Sequence, residues 1–265
     1  MLHLSIGSQL DLTRIQELLK HTRGIDISFY GAPSAFALDG GRIVHDSKEN
    51  FLSVLHYLRE RSIPFNVCCS TVLGPDALTI DSRTWDLLAE AYHPRNGVIV
   101  ARHWIAKEIR DRFPDFRFTF STIGFLSEGW HEFSLFSNFD VVVCPVPETY
   151  NFDLISKAEH WRKLEVFINN ECAGFGTNCL SHYRHNSEAN RDGNTNALFQ
   201  CPNLRKGARR KDWRTQPTVN DLLRYYDLGV RHFKVIERTS SAQDYTQYLD
   251  LLRHISDLRT ITATT

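Results

Sequence analysis

The stretch FNVCCSTVLGPDALTIDSRTWDLLAEAYHPRNGVIVA, residues 65–101, sets two short apolar runs on either side of an amphipathic segment. Phe65–Cys69 and Gly97–Ala101 are apolar or β-branched and too short to be helices, so they read as buried strands. Between them, Asp81 stands where an N-cap precedes the apolar periodic run that ends at Ala91. Strand, helix, strand in this order is the repeating unit of a parallel sheet.

Working outward, the same alternation covers most of the chain. Strands are expected near Leu2–Ser5, Asp26–Tyr30, Phe116–Ser121, Asp140–Cys144, Leu164–Asn169 and Phe233–Ile236. With the first two runs these make eight, the number that closes a (β/α)8 barrel of the TIM type. Helices are expected over Leu10–His21, Glu49–Arg61, Trp104–Phe113, Asn151–Trp161, Val219–Leu228 and Ala242–Leu258. Asn151 is a cap candidate, Pro217 is placed to head the helix holding Leu222, Leu223 and Tyr226, and Gly24 and Gly229 follow helices where a left-handed residue ends the last turn.

The chain has 265 residues, 42% of them hydrophobic, enough for one large core over residues 1–265 without disulfides. Lys plus Arg and Asp plus Glu are both 31, so no global charge favours nucleic acid or an anionic membrane. MLHLSIGSQLDL lacks a basic segment followed by an apolar one, and no uncharged apolar run approaches ~18 residues. A cytoplasmic protein off the membrane is expected, in which six cysteines serve as buried small residues, reactive thiols or metal ligands rather than disulfides.

The alternation breaks at residues 171–216, where Asn, Gly, Arg and His abound and neither period is visible. A connection this long, following the seventh strand, is expected to form an inserted loop on the C-terminal face, where barrel active sites are built. It holds Cys172, Cys179 and Cys201. Gly174 and Gly176 allow the chain to fold back so that the first two sulfurs converge. Thiolates suit an iron–sulfur cluster or zinc. For a fourth ligand, Cys68, Cys69 and Cys144 all fall at strand ends expected to open on the same face. Cys68 shares the parity of the polar Asn66 and is preferred, with Cys69 or Cys144 as alternatives. Zinc would instead use Cys172, Cys179, His182 and His185, a C-x6-C-x2-H-x2-H pattern.

LEVFINNECAGFGTNCLSHY (164–183) resembles the segment of the U32 peptidase-like family in which a strand ends in one cysteine and a second follows after six residues. VNDLLRYYDLGVRHFKVIERT (219–239) resembles that family's later block, which ends in a Lys-Ile-Glu-Gly-Arg-like sequence. The resemblance covers Leu164 to Leu252. It implies a [4Fe–4S] protein of oxygen-independent hydroxylation, acting on a small molecule or a biopolymer, with Cys172, Cys179 and Cys201 as three cluster ligands. Some members work as heteromeric pairs, which implies a protein partner. Here no cysteine follows Cys201, and no glycine separates Glu237 from Arg238.

Ionisable residues at strand ends complete the candidates. Glu148 follows Cys144, Glu171 ends the seventh strand, and Glu237 and Arg238 end the eighth; all four are expected around the substrate, as a zinc hydrolase's general base or a cluster enzyme's polar lining. A salt bridge of Glu237 with Lys234 or Arg238 is the bland alternative. His103 reads as a proton-transfer group or a polar residue at a helix start. Arg42, in the turn Asp39–Arg42, is a candidate for an anionic substrate. The basic loop 205–214, with Arg209 and Arg210 beside Trp213, suits an anionic partner or plain solvation; nucleic acid is not favoured.

Overall fold

The computed structural model describes residues 1–7, 11–128, 137–157, 161–169, 179–197, 199, 217–236 and 242–264. Within them, eight parallel strands close a barrel in chain order. They are β1 (His3–Gly7), β2 (Asp26–Gly31), β3 (Phe65–Cys69), β4 (Gly97–Val100), β5 (Arg117–Phe120), β6 (Val141–Val143), β7 (Leu164–Phe167) and β8 (His232–Val235). The eight expected strands are these eight, with their ends moved by one or two residues. The barrel shuts where β1 pairs with β8, Ser5 opposite Lys234.

The helices are α1 (Leu12–Leu19), α2 (Lys48–Glu60), α3 (Ser82–Ala91), α4 (His103–Arg112), α5 (Phe125–Glu128), α6 (Phe152–Lys157), α7 (Cys179–Arg191), α8 (Val219–Asp227) and α9 (Ala242–Thr264). Helix α2 shows the rule that builds them. Ser47 accepts from Asn50 N at 3.2 Å to cap its start, and Phe51, Val54, Leu55 and Leu58 fall on one buried face at helical spacing. Asp81 caps α3 through Thr84 N at 2.9 Å, and Gly229, just past the Leu228 cap of α8, takes φ of 86° as expected of a helix end; Gly24, at φ 83°, instead lies in the turn before β2, four residues beyond the Lys20 cap of α1. Pro217 does not start α8. Its cap is Thr218, in a reciprocal box with Asp221.

The barrel interior is of two kinds. In its N-terminal half a cavity is lined by His3, Ser28, Asn66, Arg117, Glu165 and Lys234, among others, where a barrel of this class normally packs branched apolar side chains. Lys234 Nζ bonds Glu165 Oε2 at 3.1 Å, and lies 3.8 Å from the centre of the Tyr30 ring. Burial alone would lower the lysine's pKa, but the Glu165 carboxylate, Tyr30 and Cys68 outweigh it and hold the ammonium above the ordinary lysine value. Toward the C-terminal half the inward residues become apolar, with Val143 and Phe167 in contact.

Residues 171–216 depart from expectation. The part from Cys179 to Arg191 is the helix α7 and not loop. Residues 171–178 and 200–216 lie outside the described residues, and with them Glu171, Cys172, Cys201 and the basic loop.

Candidate functional site

Helix α7 lies across the C-terminal mouth of the barrel. At its first turn Cys179 packs on Val143 after β6's midpoint, Phe167 at the end of β7, and Ile236 just past β8. Leu180, and Tyr183 one turn on, reach Val72, Ala101 and Ile123, which follow β3, β4 and β5. Its last turns fasten to the loops after β2 and β3. Thirteen residues at 1.5 Å each make a helix about 20 Å long.

The fastening is polar. Asn190 Nδ2 donates to the carbonyls of Asp39 and Arg42 at 2.9 and 2.8 Å, and Asn186 Nδ2 donates to Gly41 O at 3.2 Å. Ser187 Oγ accepts from Val72 N at 3.1 Å and donates to Tyr183 O at 2.7 Å. Gly40 makes this approach possible: a Cβ there would stand 2.4 Å from Ser187 Oγ and 2.7 Å from both Ser70 O and Thr71 Cα. The Asp39–Arg42 turn expected after the second strand is therefore the socket for α7. Asp39 Oδ1 stiffens it by accepting from Gly41 N at 2.9 Å and Ser70 Oγ at 3.0 Å.

The same turn brings Arg42 to the rim. Its Nη2 donates to Ile236 O at 3.2 Å, while Ile236 N donates to Asn169 Oδ1 at 2.7 Å. His182 and His185, on α7, share Phe199: the His182 ring stacks on it at 4.7 Å, and the His185 ring lies 5.6 Å away. Burial lowers the His182 pKa, helped by His185 and the Arg42 charge.

The cysteines separate. Cys68 faces the barrel interior, two residues beyond the cavity-lining Asn66 and within the field of Lys234. Alternation turns its neighbour Cys69 outward, where burial, then Cys68 and Asp39, push the thiol's pKa well up. Cys144 corrects the expectation that it opens on the mouth. Val141 and Val143 take the inward positions of β6, so Cys144 points into the helix layer. Burial and then the Glu148 carboxylate raise its pKa, with Thr149 beside it and Tyr225 of α8 within its field.

Cys179 also differs from its expected setting. It is buried in an apolar cluster at a helix start rather than carried in an open polar loop. Among the described residues no three His, Cys, Asp or Glu side chains gather to hold a metal ion, so Cys179, His182 and His185 do not meet as three corners of a zinc site. Glu148 sits in the 3-10 turn after β6 and accepts from Asn151 Nδ2 at 2.9 Å. Glu237 and Arg238 lie outside the described residues; Lys234 is paired with Glu165. His103 opens α4 with its ring against Phe120 and Phe139, the setting of a helix-start residue.

Sequence reading missed α7 as a lid, and it missed Asn169 and Glu165. Asn169 had a signal, a polar residue closing a mostly apolar strand. Glu165 had one as well, a charge within a parallel strand.

No protein-family model matches the chain, and no curated protein matches it. A solved structure, the U32 peptidase Mk0906, superposes on it with a TM-score of 0.61 over 91% of this chain and 94% of that one, at 10% identity. The likeness is one of fold: the two chains share a barrel over nearly the whole of both.

Proposed function

We propose that the chain is a U32-like enzyme that works at the C-terminal mouth of its barrel, beneath α7, with a [4Fe–4S] cluster held by Cys172, Cys179 and Cys201. The observation that carries this reading is the position of Cys179. It is the first residue of a 13-residue helix and is shielded by Val143, Val146 and Phe167. The positive end of the helix dipole favours a thiolate there. An apolar shell keeps water from the sulfur, which is what a cluster ligand needs. Cys68 is the thiol we assign to the fourth position, since Cys69 and Cys144 face the helix layer.

When bound, such a cluster supplies one-electron transfer or a site for an oxygen donor. The reaction we assign is an oxygen-independent hydroxylation or a related redox step. The chain's own part is to close the mouth with α7 and to present Arg42 and Asn169 at its rim. The substrate is a small molecule or a segment of a biopolymer.

Anaerobically purified protein is expected to be brown, with iron and acid-labile sulfide in about equal amounts. Cys179→Ser, which keeps the volume in the apolar cluster, is expected to remove most of the visible absorbance while the far-UV circular dichroism stays that of the wild type. Colourless protein with stoichiometric zinc, or an unbleached Cys179→Ser variant, would sink the cluster assignment.

A further inference from the structure

We infer that the barrel mouth holds a receptor for an anionic oxygen group of the substrate, a carboxylate or a phosphate, formed by Arg42 and Asn169. It rests on the mouth being the reaction site and is independent of the cluster.

The Ile236 peptide group is gripped on both sides, its carbonyl by Arg42 Nη2 at 3.2 Å and its N–H by Asn169 Oδ1 at 2.7 Å. Arg42 and Asn169 are therefore neighbours, although one comes from the loop after β2 and the other from the end of β7. The Ile236 N–H also fixes which way the Asn169 amide faces, because the reverse would set two donors against each other. Asn169 is only 3% exposed, and among the described residues its Nδ2 is buried with no hydrogen-bond partner. A buried amide NH2 left unmet costs free energy that a fold retains where a ligand will meet it.

Guanidinium and amide NH2 are donors without acceptor capacity on those atoms. Two donor groups, one of them permanently charged, select an oxygen acceptor carrying negative charge. The Asp39 carboxylate in the same turn has Oδ1 engaged by Gly41 N and Ser70 Oγ, on the side toward β3.

The test titrates inorganic phosphate and acetate separately into full-length, anaerobically purified protein by calorimetry. One of the two is expected to bind at millimolar concentration, phosphate marking a phosphorylated substrate and acetate a carboxylated one. Arg42→Gln and Asn169→Asp are each expected to weaken that binding by about tenfold or more. Asn169→Asp keeps an acceptor for Ile236 N–H and reverses only the orphan donor. If it does not fold, Arg42→Gln carries the test, because the Arg42 backbone stays held by Asn190. Absence of binding by wild type, or equal binding by wild type and variants, overturns the inference. Iron and sulfide measured on the same samples keep the readings apart: brown protein that ignores both anions refutes the receptor alone, and colourless protein that binds one refutes the cluster alone.

Discussion

Both ends of the barrel bury polar groups, and they differ in whether those groups are answered. In the N-terminal half Lys234 has Glu165 and Tyr30, and His3 Nε2 has Ser28 Oγ at 2.9 Å. At the C-terminal mouth Asn169 Nδ2 and His185 Nε2 have no partner among the described residues. A buried pair is costly to break from one side, and an unanswered buried group carries a cost that a ligand can offset. In barrels of this class the bottom face commonly serves stability and the top carries the active site, and the proposed site lies at the top.

The harshest way to break the comparison is to remove one partner of the buried pair. Glu165→Ala leaves the Lys234 ammonium unpaired, with both side chains less than a tenth exposed, and is expected to cost about 3–5 kcal/mol in urea unfolding. Glu165→Leu combined with Lys234→Met is expected to recover most of that loss, because two apolar groups leave no charge stranded. A single-variant cost below about 1 kcal/mol would mean that water serves the pair and that the lower half is not a stability element.

Acid should weaken the lower half before it touches the fold elsewhere. Burial, then His232, Arg117 and Lys234, push the His3 pKa down to about 3, and burial lowers His232 against the opposing Glu165 carboxylate. Both imidazoles are thus neutral in the folded state and take up protons more readily when unfolded. The unfolded chain binds the extra proton below an ordinary histidine value of ~6.5, so stability is complete above that pH and falls as pH drops toward the folded value. Between pH 6.5 and 5 the His3 contribution falls by about 1.5 kcal/mol, the slope reaching ~1.4 kcal/mol per pH unit only once the unfolded imidazole is fully protonated. Melts of His3→Gln against wild type across this range should show the shallower slope in the variant. Parallel slopes would remove His3 from the account.

What could be read from sequence follows the same division of forces. All eight strands were legible because each carries a run of apolar or β-branched residues that only a buried parallel strand accommodates. Helix α7 was not, because its buried residues include Asn186, Ser187 and Asn190, which are held by hydrogen bonds to loop backbones. A method that reads apolar period sees nothing in such a face. The cysteines divide similarly: parity sets Cys68 rather than Cys69 on the inner face, since alternation is local, whereas the outward direction of Cys144 depends on which β6 valines face inward. The site's long-range pairings, Arg42 with Ile236 and Asn190 with Asp39, join residues more than a hundred positions apart and leave no trace in either segment alone.

The gentlest test acts on the seam between lid and barrel. Gly40→Ala would press a methyl group against Ser187 Oγ and against the backbone at Ser70 and Thr71. Ser187 can turn aside, but the backbone atoms cannot, so α7 or the Asp39–Arg42 turn must shift. The loss in global stability is expected to be about 1 kcal/mol, the low end for overpacking, because the crowded helix lies on the rim and can lift without opening the core. Local consequences should exceed the global one. Hydrogen exchange is expected to speed up across Cys179–Arg191, and at Val72, whose N–H bonds Ser187 Oγ, while β1 and β8 exchange as in wild type. Uniform acceleration throughout the barrel would show that α7 is part of the cooperative core. Unchanged exchange in α7 would show that the approach at Gly40 is looser than a 2.4 Å contact allows. Only the localised response fits a lid fastened to a barrel whose lower half holds itself together.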